Sequence, residues 1–216
     1  MNYKSIKHEL QHILQGESQD SQSTLIQSIA GYLRKSQETS PMAQGDKHDK
    51  TQETKRLVQY INKHHLWNCD IEFNAFVSSG AEQRVYMRND FKVLKLNDGI
   101  YYQSWVDYFN NLLLNNYFFP DTAYQLVGFY KSDNGVVYAL VEQNYVDATE
   151  PTDLNLVKQF LENNGFLNTK NHDYYNPDLG IILEDLHDEN VLTKQGVLYF
   201  IDTVFYIKPE ILWSRI

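Results

Sequence analysis

Near Ile71 the hydrophobic period of this chain changes from that of helices to that of strands. Before it, Ile6, Leu10, Ile13 and Leu14, and then Leu25, Ile29, Tyr32 and Leu33, recur at helical spacing. They predict two short amphipathic helices over 2–15 and 22–35. Residues 36–52 have almost nothing to bury and read as a flexible linker. A third helix, over 53–64, leads into Leu66 and Trp67. After the change, Phe73, Ala75 and Val77 alternate with polar residues, and Gln83 to Arg88 and Phe91 to Leu96 form strands about Asn89-Asp90. A helix over 102–116 carries Trp105, Tyr108, Leu112 and Leu113 on one side. Leu126 to Lys131 and Val136 to Gln143 pair around Asp133-Asn134-Gly135, a strong hairpin signal. Leu154 to Asn163 is a helix capped by Thr152-Asp153 and closed before Gly165. A last hairpin, Val191 to Ile207, turns at Lys194-Gln195-Gly196. The class is α+β.

Apolar residues make up 42% of the 216, with 14% aromatic, which is ample for a core. Charge is uneven: residues 1–56 hold eight Lys/Arg and seven Asp/Glu, and the remainder 11 against 21. A body that acidic disfavours a nucleic-acid partner. Cys69 is the only cysteine, so neither an internal disulfide nor a cysteine metal site is expected. No apolar run is long enough to cross a bilayer, and the N-terminus lacks the apolar core of a signal peptide, so the expected compartment is the cytoplasm.

The chemistry concentrates in Gly180-Ile-Ile-Leu-Glu-Asp-Leu-His-Asp-Glu-Asn-Val-Leu192 and Leu198-Tyr-Phe-Ile-Asp-Thr203. Asp185 and Asn190 lie five residues apart between apolar segments, and Asp202 follows twelve later on a second apolar run. Phosphoryl transfer needs this kind of set. One carboxylate aligns the attacking hydroxyl, while an amide and a second carboxylate hold a divalent metal on a nucleoside triphosphate. Each residue alone has a plainer reading, as a turn-capping aspartate or a loop residue after a strand. The joint spacing is what lowers those odds.

The chain resembles the protein-kinase-like superfamily, in the variant shared by aminoglycoside and choline kinases, whose catalytic loop reads Asp-Leu-His-x-x-Asn. More narrowly it resembles the kinase domain of polyvalent proteins of phages and conjugative elements. The residues behind this are Gly80-Ala-Glu-Gln-Arg-Val-Tyr86, Val93-Leu-Lys-Leu-Asn97, Asn116-Tyr-Phe-Phe-Pro-Asp121 and Glu184 to Leu192. The resemblance covers roughly Leu66 to Pro209.

It implies ATP and Mg²⁺ as cofactors and a protein or small-molecule hydroxyl as acceptor. Asp185 and Lys95 become the catalytic pair, and Asn190 and Asp202 the metal ligands. Lys95 lies within an apolar strand, where a lysine is costly unless it faces a cleft or pairs with an acid. Lys92 and Lys95 differ in parity, and the resemblance picks Lys95. Ser79, Gly80 and Ala81 look like a reduced phosphate-covering loop, though a tight turn is the plain reading. Glu142 to Tyr145 fall where kinases hydrogen-bond adenine, which brings Glu142 and Asn144 into the nucleotide site. His187 is expected to be structural, and the other histidines to lie on the surface.

The implied architecture is a minimal two-lobed kinase-like domain over 53–216, with a truncated C-lobe and a helical N-terminal extension over 1–35. Only 14 residues follow Asp202. The helix over 102–116 lacks the glutamate that protein kinases pair with the strand lysine, leaving Asp107, or Glu82, to take that part. Thr203-Val204 follows Asp202 in place of Phe-Gly. These departures keep a catalytically inactive, kinase-shaped binding module as the alternative to a phosphotransferase.

Overall fold

A computed structural model describes residues 2–17, 23–38, 50–80 and 83–214. The described residues form a mixed α+β structure with six helices and antiparallel sheets. Helices α1 (Tyr3–Gln15), α2 (Thr24–Glu38) and α3 (Lys50–His64) come first. The helix α3 starts inside the segment read as a linker, because Lys50 has partners. Its ammonium donates to the carbonyls of Gly99 and Tyr102. The middle of that segment, 39–49, lies outside the described residues.

Strands β1 (Phe76–Ser79), β2 (Gln83–Asn89) and β3 (Lys92–Asn97) are followed by α4 (Trp105–Phe118), then β4 (Gln125–Lys131) and β5 (Val137–Asn144). The sheet order is β1-β2-β3-β5-β4. The chain therefore leaves β3, crosses by α4 to the far edge, and inserts β5 between. Alternation gives the sheet two dressed faces. Tyr86, Leu94, Leu96 and Leu140 meet Ile71 on one, while Leu126, Phe129, Val137, Ala139 and Val141 meet α4 on the other. At Gly128 the backbone takes φ +146, and a Cβ would stand 2.7 Å from the Leu66 carbonyl oxygen. Only glycine lets Leu66–Asn68 run this close against β4.

The residues of α4 begin at Trp105, three later than expected, because Ser104 caps the helix. The Ser104 hydroxyl oxygen accepts from the Asp107 N–H at 3.0 Å and donates to the Asp107 carboxylate at 2.7 Å. Leu10 and Leu14 of α1, Ile26, Ile29 and Leu33 of α2, and Leu57 and Ile61 of α3 are fully buried in the same core as α4. The segment read as an extension thus shares its hydrophobic core with the rest of the described chain.

After α5 (Leu154–Asn163) come β6 (Leu167–Lys170), β7 (Asp173–Asn176) and β8 (Ile181–Glu184). Sequence periodicity missed β6, a run of four exposed residues with no apolar alternation. The hairpin expected over Val191 to Ile207 is two structures. Strands β9 (Val191–Lys194) and β10 (Val197–Phe200) pair around Gln195-Gly196, both at positive φ, whereas β11 (Val204–Ile207) leaves them to pair with β8. Residues 201–203 lie in the break. A short helix, α6 (Pro209–Leu212), follows, and α1 holds it: Gln11 donates to the Leu212 carbonyl at 2.6 Å and Lys7 to the Ser214 hydroxyl at 2.8 Å. No described helix is long and apolar enough to cross a membrane.

Candidate active site

The break between β10 and β11 brings Asp202 beneath the first sheet. Lys95 enters from β3 on the face that meets α4, and its side chain is buried (3% exposed). Its ammonium donates to the Ile201 carbonyl at 2.8 Å and stands 4.0 Å from Asp202 Oδ2. Tyr124 places its ring 5.4 Å from the same ammonium, and its hydroxyl also donates to the Ile201 carbonyl, at 2.8 Å. Burial pushes the Lys95 pKa below the ordinary lysine value, and the Asp202 charge only partly offsets that. Lys92, of opposite parity, faces the other way and pairs with Glu142 at 3.2 Å.

Gln83 completes this corner by donating from Nε2 to Asp202 Oδ2 at 2.7 Å. It begins β2, directly after the Ser79–Gly80 turn, so the turn and the carboxylate are linked. Ser79 pairs with Arg84, and the Gly80 N–H donates to the Gln83 carbonyl at 2.9 Å. A Cβ at Gly80 would meet no described residue within 4 Å. Ala81 and Glu82 lie outside the described residues.

Asp185 heads the second half of the site, at φ +65. That left-handed conformation is rare outside glycine, though aspartate and asparagine tolerate it best. Three partners hold Asp185 there. Its N–H donates to Asp173 Oδ1 at 3.2 Å, and Asn190 Nδ2 donates to its carbonyl at 2.8 Å and to its Oδ2 at 3.0 Å. His187 Nδ1 accepts from the Glu189 N–H at 3.2 Å, and its Nε2 lies 3.3 Å from Asp185 Oδ1 and 3.2 Å from Asn190 Nδ2. The His187 carbonyl also accepts the N–H groups of Asn190 and Val191, each at 3.0 Å. The histidine thus folds the loop and steers the aspartate. Next door, burial together with the Asp173 and Asp185 charges raises the Glu184 pKa above the usual range.

The donor set suits a metal that arrives on phosphates. No group of three or more His, Cys, Asp or Glu side chains among the described residues could hold a metal by itself. Asp202 offers a part-exposed carboxylate. Asn190 spends its amide nitrogen on Asp185, which leaves the amide oxygen for a hard cation.

Some expectations meet a different arrangement. Asp107 is committed to capping α4 with Ser104, so the acid standing opposite Lys95 among the described residues is Asp202. Glu142 lies inside the sheet, paired with Leu94 of β3 and Gln125 of β4, and its carboxylate faces Arg88 and Lys92. Asn144 pairs with Lys92, and its side chain donates to the Asp121 carbonyl at 3.1 Å. The Tyr145 N–H donates to the Phe91 carbonyl at 2.8 Å. The backbone leaves the β ladder only after Tyr145. His8 and His12, expected at the surface, are exposed and part-exposed there and stand Nε2 to Nε2 at 3.1 Å, one helical turn apart.

Sequence reasoning also missed the supports behind Asp202. The α4 side chains Asn111 and Asn115 are 4% and 0% exposed. Asn111 accepts from the Phe205 N–H and Asn115 from the Thr203 hydroxyl, each at 2.8 Å. The clue was present. Asparagine is a poor helix former, yet Asn110, Asn111, Asn115 and Asn116 sit among leucines and aromatics in one helix.

A comparison with protein-family models matches residues 50–209 to the family described as the Serine/Threonine/Tyrosine Kinase found in polyvalent proteins. No curated protein and no solved structure matches the chain. The family match takes in both halves of the site, from Lys95 to Asp202, and on it the chain belongs to the serine/threonine/tyrosine kinase family of polyvalent proteins.

Proposed function

We propose that the chain is an ATP- and Mg²⁺-dependent phosphotransferase that moves the γ-phosphate to a hydroxyl. The observation that carries this is the meeting of Lys95 and Asp202, 107 positions apart in sequence, at one corner, with Asp185 and Asn190 bonded to each other on the next loop. Lys95 would hold phosphate oxygens, and Asp185 would align the acceptor hydroxyl. Asp202 and Asn190 would hold Mg²⁺, which supplies neutralisation of the phosphate charge. A phosphate gives the Lys95 ammonium the full counter-charge that its 4.0 Å distance from Asp202 does not. Adenine would meet the backbone past Tyr145, since Glu142 and Asn144 are held in the sheet.

In this reading the five-stranded sheet with α4 corresponds to the small lobe, and the sheets flanking Asp185 and Asp202 to the large lobe. The Leu-His after Asp185 supports a loop of the aminoglycoside and choline kinase type, and the reading extends to a cytoplasmic protein of a phage or mobile element. The acceptor is a protein hydroxyl or a small hydroxylated molecule. The test is thermal stability against ATP with Mg²⁺, wild type beside Asp202→Ala. A metal-dependent rise lost in the variant supports the site, and the absence of any rise in the wild type refutes it. Labelled phosphate on protein bands or only on small molecules then separates the acceptors.

The bond from Gln83 to Asp202 favours a second reading, a non-catalytic nucleotide-binding module, because that amide stands where a metal would approach. ATP turnover abolished by Asp185→Ala excludes it.

A further inference from the structure

The Asp202 loop is tied to α4 on both sides, and both ties pass through one asparagine. One residue after Asp202, the Thr203 hydroxyl donates to Asn115 Oδ1 at 2.8 Å, with both residues buried. Asn115 Nδ2 donates at 3.2 Å to the Thr122 carbonyl, which also accepts from Gln143 Nε2 at 2.7 Å. The Thr122 hydroxyl in turn donates to the carbonyl of Phe200, two residues before Asp202. Asn115 thus grips the loop directly at residue 203 and, through Thr122, at residue 200. Asn111 adds a third hold one turn earlier, on the Phe205 N–H.

We propose that Asn115 and Thr203 are positioning residues for Asp202. Helix α4 sets the metal-binding carboxylate through an amide–hydroxyl bond, not through an acid paired with the strand lysine. This rests on the nucleotide–metal reading of the site. The cause is steric and polar together. Asp202 itself is part-exposed and, among the described residues, bonded at its tip, by Gln83 and, at longer range, Lys95. Its backbone is fixed by its neighbours, of which Thr203, next in sequence, hydrogen-bonds a side chain of α4. The Asn115 amide is wholly buried, so its oxygen has no water to replace the hydroxyl.

The experiment uses the full chain with Thr203→Val, Thr203→Ala and Thr203→Ser, each titrated with Mg²⁺ at fixed ATP while the melting temperature is followed. Valine keeps the volume and removes the donor; alanine removes it without setting a methyl against Asn115; serine restores it. The valine and alanine variants should need about tenfold more Mg²⁺ for half of the stabilisation, the size of one lost buried hydrogen bond, and serine should match the wild type. A merely structural role would lower the melting temperature without moving the Mg²⁺ requirement. If valine does not fold, alanine decides. Folded variants with the wild-type Mg²⁺ requirement overturn the inference, as does serine behaving like valine. A wild-type chain with no Mg²⁺-dependent rise overturns the underlying site reading as well, and this shows before any substitution is compared.

Discussion

Glu53 offers the sharpest test of how α4 is held. A helix leaves its first four N–H groups without intrahelical partners. In α4 the first i→i−4 bond runs from the Tyr108 N–H to the Ser104 carbonyl at 3.2 Å, and the Asp107 N–H reaches the Ser104 hydroxyl. The N–H groups of Trp105 and Val106, which the helix leaves unpaired, go to the two carboxylate oxygens of Glu53, at 2.6 and 3.2 Å. Glu53 belongs to α3 and is 3% exposed, beside a Trp105 that is 2% exposed. Glu53→Ala therefore orphans two buried donors, each at about 1–3 kcal/mol, and removes a charge at a helix N-terminus worth about 0.3–2 kcal/mol. With partial relief by entering water, the expected loss is about 3–5 kcal/mol. For a chain of this size that is a fall in Tm of roughly 6–20 °C. Glu53→Gln keeps one acceptor and turns an NH₂ toward the other donor, so it should lose about half as much. The assay is urea unfolding together with a thermal melt. An alanine variant within about 2 °C of the wild type, or a glutamine variant no better than alanine, would refute the capping argument.

Four further outcomes follow from the same contacts. Lys95→Met should abolish the ATP and Mg²⁺ stabilisation yet cost the apo chain less than the ~3–5 kcal/mol of an ordinary broken buried ion pair, because Ile201 keeps the Tyr124 hydroxyl; denaturant unfolding with and without nucleotide checks both halves. The lowered pKa of Lys95 means that the unfolded chain binds the extra proton, so this group adds stability as pH rises from its folded pKa toward the ordinary lysine value. Comparing wild type with Lys95→Met across the window that ends at the ordinary lysine value should show the rise only in the wild type. Ile29→Ala in α2 should cost about 2–5 kcal/mol, as for any fully buried residue, and a surface-like effect in an unfolding titration would show that α2 is not part of the core. Gly180→Ala should destabilise the chain markedly, since a Cβ there would stand 2.7 Å from the Ile211 Cβ at φ +68, and a melt unchanged by it would show that α6 does not pack as described.

How legible the chain was depends on which interaction fixed each part. Strand and helix periods follow from burial on one face, so β2, β3, β4, β5 and α5 could be read from their apolar residues and turns. The parity of Lys92 and Lys95 was equally plain, since alternation puts them on opposite faces whatever the tertiary fold. Strand β6 was not legible, because its Leu-Asn-Thr-Lys is exposed throughout and exists through its pairing with β7. The break at 201–203 was hidden for the same kind of reason. Val197 to Ile207 reads as one long strand, whereas Asn111 and Asn115 hold residues 205 and 203, Lys95 and Tyr124 hold the Ile201 carbonyl, and the second half pairs with β8. Long-range polar contacts leave no period in the sequence.

Those contacts also explain why a kinase-family chain can lack a glutamate on the helix after its strand lysine. The usual logic of such a pair is to hold the helix, the lysine and the nucleotide site in one register. Here the register is held elsewhere. Glu53 fastens the start of α4, Asn111 and Asn115 fasten its middle to the segment after Asp202, and Asn116 fastens its end by exchanging two hydrogen bonds with Tyr124, at 2.7 and 2.8 Å. Tyr124 then meets Lys95 from the other side, through the Ile201 carbonyl they share. Lysine and helix are therefore coupled through residues 201–203 and not through a direct charge pair. The part of this network that reaches the segment after Asp202, Asn111 and Asn115 with Thr203, is neutral and buried, and each unsatisfied member there costs its full desolvation. It also carries little long-range charge, so the coupling between α4 and the site should be nearly independent of salt. The Mg²⁺ shift caused by Thr203→Val should accordingly keep its size between low and high ionic strength, whereas a shift that shrinks with added salt would mean that charge, not the amide–hydroxyl bond, holds Asp202 in place.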